Sequence, residues 1–222
     1  MPREPRALKR TLIIIGLGVA LAAVAVMGLI FGPAEVSLAE TWSALTGQHG
    51  DKATVSSVVV LDIRLPRVIT GILVGAGLTV AGAMTQGLFR NPLADPALIG
   101  VSSGAAMGGV ISIVLVPILA GTLALGETTL NYTTMLSTPV CAMAGAVGLT
   151  FFIYRISLVG GRTHVASMLL TGIAVNAISA AFVGLMVTVF ATDAQLRSVT
   201  FWLLGSLAGA SWQSATIMAV VI

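Results

Sequence analysis

An all-α fold, a polytopic bundle of membrane-spanning helices, is predicted by three features of this sequence: scarce charge, long uncharged apolar runs, and unevenly placed Lys and Arg. Of 222 residues, 57% are hydrophobic and 9% are charged, whereas a soluble domain carries about 25% charged residues. So few charges cannot cover a water-facing surface, and the solvent of this chain is therefore largely lipid. Its 25 glycines and few aromatics fit helices that approach closely through small residues.

A spanning helix needs about 20 apolar residues. The first run, residues 11–31, follows Arg3, Arg6, Lys9 and Arg10. It is longer than the apolar core of a signal peptide, about 7–15 residues, and lacks a small-x-small exit site, so it reads as a retained span. Further uncharged runs cover residues 68–89, 96–119, 136–154 and 165–190. The piece 199–210 is too short to cross and reads as a half-helix or re-entrant element. A partial span opens at 211 and stops at Ile222 still apolar. On this pattern the chain reads as one transmembrane domain, truncated within its sixth span.

Orientation follows from basic residues, which favour cytoplasmic segments. With the N-terminus inside, Arg3, Arg6, Lys9, Arg10, Arg90, Arg155 and Arg162 are cytoplasmic, against Lys52, Arg64, Arg67 and Arg197 outside. Residues 32–66 then form an extracytoplasmic segment. Within it Val36, Ala39, Trp42 and Leu45 recur at roughly helical spacing. They predict a short amphipathic helix on the outer interface, with Trp42 at headgroup level.

Gly100, Gly104 and Gly108 are spaced by four, on one face of the third span, as are Gly71 and Gly75 in the second. Such faces serve close packing or the wall of a wide pathway. Gly172, Asn176, Ala180 and Gly184 repeat the spacing in the fifth span. An unpaired amide at mid-membrane is costly, so Asn176 either bonds a neighbouring helix or lines a pathway. Cys141, the single cysteine, lies in an apolar run and reads as a packing residue.

Several function classes lose support, and a secondary transporter is kept as the alternative reading. None of the five predicted spans carries Asp, Glu, Lys, Arg or His in its interior, where proton-coupled pumps and secondary transporters place ionisable groups. A conduit driven by a separate engine needs none. A membrane enzyme would need paired acids, a Ser/His pair or a His cluster at one depth. His49 and His164 fall on opposite sides of the membrane and cannot share a metal. The chain has no Gly-Lys-Ser/Thr phosphate loop, and no basic patch with interleaved aromatics that would recruit nucleic acid. No metal site and no cofactor are predicted.

The most specific stretch is 63–109: IRLPR, about twenty apolar residues, then QGLFRNPLADPALIGVSSGAAMGG. Arg64 and Arg67 stand at the outer mouth of the second span, with Pro66 near its first turn. Pro92 and Pro96 fix a short inner connection, where Asn91 and Asp95 start turns or cap backbone groups. Ser102 and Ser103 enter the third span beside the glycine face. The RLPR and NPLADP…GVSSGA motifs resemble the iron–siderophore, haem and vitamin B12 permease family of ATP-binding-cassette importers, the FecCD-type permeases. The resemblance continues through ATDAQLRSVTFWLLGSLAGASW and covers essentially the whole chain. Its last part is most similar to haem permeases, then to siderophore permeases, and less to vitamin B12 permeases.

The resemblance implies a ten-span permease acting as a homodimer around a central pathway. Two cytoplasmic ATPase subunits drive it, and an extracytoplasmic binding protein delivers the substrate. This sequence corresponds to about the first six spans, and the loop that couples to the ATPase lies beyond Ile222. Arg64 and Arg67 resemble the outer arginines that meet carboxylates of the binding protein, the alternative being interfacial anchoring by snorkelling. Asn91 and Leu93 match positions of the cytoplasmic gate. A second gate element is implied near His164, Val165 and Ala166.

Overall fold

The computed structural model describes residues 4–47, 55–92, 94–122, 127–159 and 162–222. Its helices are α1 (Glu4–Ile30), α2 (Leu38–Thr46), α3 (Val55–Val58), α4 (Leu65–Phe89), α5 (Val101–Thr122), α6 (Glu127–Ile156), α7 (Val165–Phe190), α8 (Asp193–Leu204) and α9 (Trp212–Val221). The one departure from all-α structure among the described residues is an antiparallel pairing of Leu158–Val159 with Arg162–Thr163. Five helices are long and apolar enough to cross a membrane. The chain forms two compact units, one of Met1–Leu78 with Leu207–Ile222 and one of Thr79–Ser206.

In the first unit, α1 is apolar on all sides: Leu12, Ile14, Leu17, Leu21 and Val24 are all exposed. Such a helix is stable only where its surroundings are themselves apolar. Helix α2 opens with a capping box. The Ser37 Oγ accepts from the Glu40 N–H at 3.2 Å, and the Glu40 carboxylate accepts from the Ser37 N–H at 2.8 Å. That backbone bond, then the Ser37 and Ser56 hydroxyls, hold the Glu40 carboxyl below its ordinary value. Thr41 and Ala44 are buried while Leu38, Trp42 and Leu45 are exposed, which leaves α2 an apolar outward stripe.

The second span is predicted at 68–89, with Pro66 near its first turn. Pro66 does lie in the first turn of α4, but helix extends further upstream, without interruption from Val55 to Phe89, 35 residues, or about 52 Å at 1.5 Å per residue. Proline removes an N–H and crowds the carbonyl four residues back. Here the preceding residues Val59–Arg64 widen into a π-helix, with the Leu65 N–H bonded to the Val60 carbonyl. The looser winding admits Pro66 inside the helix. Apolar length alone had counted only the part beyond the arginines.

In the second unit, the predicted third span does not open as α-helix at residue 96. Pro96–Ile99 form a 3-10 turn capped by Asp95, whose Oδ1 accepts from the Ala97 N–H at 2.8 Å. Gly100 then takes φ 86°, a left-handed conformation open to glycine, and α5 begins at Val101. Gly100 therefore stands before α5 as a breaker, yet it continues the same row against α6, since a Cβ there would lie 2.5 Å from the Ile153 side chain. Gly104 and Gly108 lie on the α5 face itself, against α6, where a Cβ on either would overlap the Gly145 or Cys141 carbonyl. The same interface carries a polar clasp in which the Ser112 hydroxyl lies 2.7 Å from Ser137 Oγ and 3.1 Å from Thr138 Oγ1.

The expected short element at 199–210 is also shifted. Helix α8 starts at Asp193 and ends at Leu204, where Gly205 takes φ 75°. Its start is set by the Thr192–Gln195 capping box, a Thr-x-x-Gln signature that an apolar-length criterion passes over.

Candidate functional site

Three groups of residues carry the functional expectations. The first surrounds the π-helical segment. Helix α1 leaves its last carbonyls without intrahelical partners, and Arg64 supplies the donors. Its Nη1 donates to the Leu29 and Ile30 carbonyls at 2.8 and 2.6 Å, and its Nη2 to the Ala34 carbonyl. The side chain is only 6% exposed. Gly32 makes room for it, since a Cβ there would lie 2.8 Å from Nη2. A cation at this end of a helix is further favoured by the helix dipole.

Arg67, half-buried, has other partners. Its Nε donates to the Leu207 carbonyl at 3.1 Å and its Nη2 to the Ala208 carbonyl at 3.2 Å. A third tie follows from Pro66. In the π register the Leu61 carbonyl would receive the N–H of residue 66, and proline has none. The Trp212 indole N–H fills the vacancy at 3.1 Å. The two arginines paired in sequence thus have distinct situations: Arg64 is an internal clasp, whereas Arg67 sits on the surface with two of its guanidinium donors used.

The second group is the connection from α4 to α5. Helix α4 ends in a Schellman-type reversal, with Asn91 N–H on the Gln86 carbonyl at 3.2 Å and Arg90 N–H on the Gly87 carbonyl at 3.4 Å. Arg90 takes φ 49°. Asn91 is exposed, and its carbonyl accepts from the Ala94 N–H at 3.1 Å. Leu93, the predicted partner of Asn91, lies outside the described residues. Ser102 is exposed, whereas Ser103 donates to Asn176 Oδ1 at 2.5 Å, and Asn176 Nδ2 donates to the Ala97 carbonyl at 3.0 Å. One turn away, a Cβ on Gly172 would overlap the Leu98 carbonyl. The mid-span amide is thereby satisfied on both its ends and pins the 3-10 turn to α7. His164 stands at the N-cap position of α7 without a side-chain cap bond, and Val165 and Ala166 beside it are exposed.

The third group was missed in the sequence. Gln195 of α8 donates from Nε2 to the Ile113 and Val114 carbonyls of α5 at 3.2 and 3.4 Å. Pro117, inside α5, is the signal that pointed to it, because a proline four residues on leaves the Ile113 carbonyl without its helical donor. Among the described residues no group of three or more His, Cys, Asp or Glu could hold a metal ion.

Comparison with known proteins bears on these placements. The model of the FecCD transport family matches residues 8–222. The chain is 36% identical over 189 residues to the cobalamin import system permease protein of Halobacterium salinarum, covering 82% of this chain and 46% of that one. It is 41% identical over 162 residues to the hemin transport system permease protein of Yersinia pestis, covering 73% and 45%. The chain spans about half the length of the curated relatives it matches. Among solved structures it is similar to "An inward-facing conformation of a putative metal-chelate type ABC transporter", with TM-score 0.63 and 30% identity over 94% of this chain and 57% of that one.

Proposed function

From the premise that this chain belongs to the FecCD transport family, we propose that it builds the membrane pathway of an ATP-driven importer for an iron chelate, haem or a ferric siderophore. The observation that carries this reading is the family match across residues 8–222. The spans predicted at 11–31, 96–119, 136–154 and 165–190 carry no ionisable group in their interiors, which supports an engine outside the pathway. ATP hydrolysis then falls to separate cytoplasmic subunits acting on a homodimer in the cytoplasmic membrane, which an extracytoplasmic binding protein feeds. The relatives named for hemin and cobalamin have in common a large, rigid macrocyclic metal chelate, and vitamin B12 is the second reading for the cargo. Competition between haem, a ferric siderophore and cobalamin for ATP-dependent uptake by the assembled importer separates them. Uptake that needs a proton gradient and no ATPase would sink the proposal.

The N-terminus lies in the cytoplasm in this reading, supported by seven basic residues inside against four outside. Single cysteines at positions 50 and 161 should react with an impermeant thiol reagent from opposite sides. Reaction of both from one side overturns the orientation.

Arg67 is the outer arginine suited to dock a carboxylate of the binding protein, since Arg64 is committed internally. Arg67→Glu should weaken binding-protein association about tenfold at low salt, and less as ionic strength rises, because exposed charges are screened over about 10 Å at 0.1 M. Unchanged association at both salt levels would leave Arg67 only as a tie to the Leu207 and Ala208 carbonyls. Asn91 and Leu93 act in this proposal at the cytoplasmic gate, with His164, Val165 and Ala166 as a second element. The αL turn at Arg90, which fixes where Asn91 leaves α4, supports this reading for Asn91.

A further inference from the structure

We propose that Gln195 is a positioning residue that ties α8 to the proline site of α5, so that the two move as one body during transport. The tie itself rests on geometry alone; its role in transport rests on the importer reading above. Pro117 has no N–H, so the Ile113 carbonyl loses its helical donor within a 22-residue apolar helix. A buried carbonyl left without a partner costs about 1–3 kcal/mol, and lipid offers no replacement. The Gln195 amide supplies one at 3.2 Å and shares it with the Val114 carbonyl at 3.4 Å.

The other end of the same amide has a second duty. Gln195 Oε1 accepts from the Thr192 N–H at 2.9 Å, closing the capping box that starts α8. One side chain therefore both begins the short helix and fastens it to its neighbour. Two further contacts fall on the same face of α8, at spacings of four and seven. Val199, 2% exposed, joins a core with Val110, Ile113 and Val114. Trp202 packs on Gly109, where a Cβ would come within 2.6 Å of its ring. Residues 195, 199 and 202 thus meet positions near 113, 110 and 109, so α8 runs antiparallel along α5. Both ends of α8 are non-helical, Thr192 before it and Gly205 at φ 75° after it. A short rod clasped along one side, with breaks at both ends, can travel with the helix it is clasped to. Packed elements of this kind shift between discrete arrangements.

Glutamate at 195 separates the two duties. Kept ionised at pH 8, a carboxylate still accepts from the Thr192 N–H but has no proton to give Ile113. In the complete permease, Gln195→Glu should speed amide exchange across 196–204 about tenfold, the factor carried by one hydrogen bond. It should also broaden the distance between spin labels on α5 and α8, and raise the ATP hydrolysed per chelate imported. Pro117→Ala restores an N–H for Ile113, so in that background Gln195→Glu should change exchange less than twofold. Unaltered exchange in the single variant, or the same tenfold rise in both backgrounds, overturns the tie. A faster exchange with ATP use per chelate unchanged overturns its role in transport. Exchange and label distances are read without substrate, so an unsubstituted protein that imports no chelate would defeat the importer reading and leave the tie standing.

Discussion

Replacing Arg64 with alanine is expected to destabilise the protein by about 3 kcal/mol or more, a larger loss than any other single change among the charged residues the structure describes. The reasoning begins with α1, whose last carbonyls have no partner within the helix. Arg64 donates to Leu29, Ile30 and Ala34 together. A hydrogen bond from a charged donor contributes about 1.5–3 kcal/mol, and an acceptor left buried and unpaired costs about 1–3 kcal/mol. Arg64→Lys should recover only part of the loss, since an ammonium is a point charge that cannot span three acceptors as a planar fork does. Gly32→Ala should reproduce a milder form of the defect by pushing the guanidinium from its seat. Unfolding of detergent-solubilised protein, followed by heat or denaturant, provides the measurement. The Arg64 loss should persist at high salt because the group is buried, in contrast to the screened docking effect proposed for Arg67. Equal stability of Arg64→Ala and Arg67→Ala variants would refute the assignment.

The contrast between these arginines marks where the sequence could be read and where it could not. Apolar runs of spanning length were legible because lipid leaves a chain few options, and the RLPR and NPLADP motifs carried the family. Neighbouring positions in a motif, however, need not share a role. Arg64 and Arg67 are three apart, yet one caps α1 and the other holds Leu207 and Ala208, 140 residues on. Their acceptors are backbone carbonyls, which have no letter in the sequence. The same holds for Asn176: its cost at mid-span was readable, its partners Ser103 and Ala97 were not. Prolines were the underused signal. Pro66 and Pro117 each free a carbonyl, and each freed carbonyl receives a donor from a distant segment, Trp212 or Gln195. At these two prolines the freed carbonyl marked a compensating polar side chain elsewhere, although not its position. The Thr192–Gln195 capping box was open to reading and would have placed the start of α8. Leu93 lies outside the described residues, and its role stays with the proposal.

The second large effect is expected where α5 and α6 cross, and it should depend on which glycine is changed. Gly104 and Gly108 on α5 meet Gly145 and Cys141 on α6, each pair four residues apart. A Cβ on Gly108 would overlap the Cys141 carbonyl, and Cβ atoms on Gly104 and Gly145 would each overlap the other's carbonyl. These obstacles are backbone, which cannot swing aside as a side chain does. Gly108→Ala and Gly145→Ala must therefore push whole helices apart, at about 3 kcal/mol each, the upper end of ordinary overpacking. The displacement also strains the clasp of Ser112, itself fully buried, with Ser137 and Thr138. Gly148→Ala provides the counterpart on the same helix, with nothing within 4 Å of its Cβ. There alanine only improves helix propensity, so stability should be unchanged or rise by up to about 1 kcal/mol. The double variant Gly108→Ala with Gly145→Ala should cost less than the sum of its parts, because helices already separated accommodate a second methyl group. Unfolding midpoints of the four proteins in one detergent measure all of this. If Gly148→Ala and Gly108→Ala shift stability alike, close backbone approach is not what holds α5 against α6.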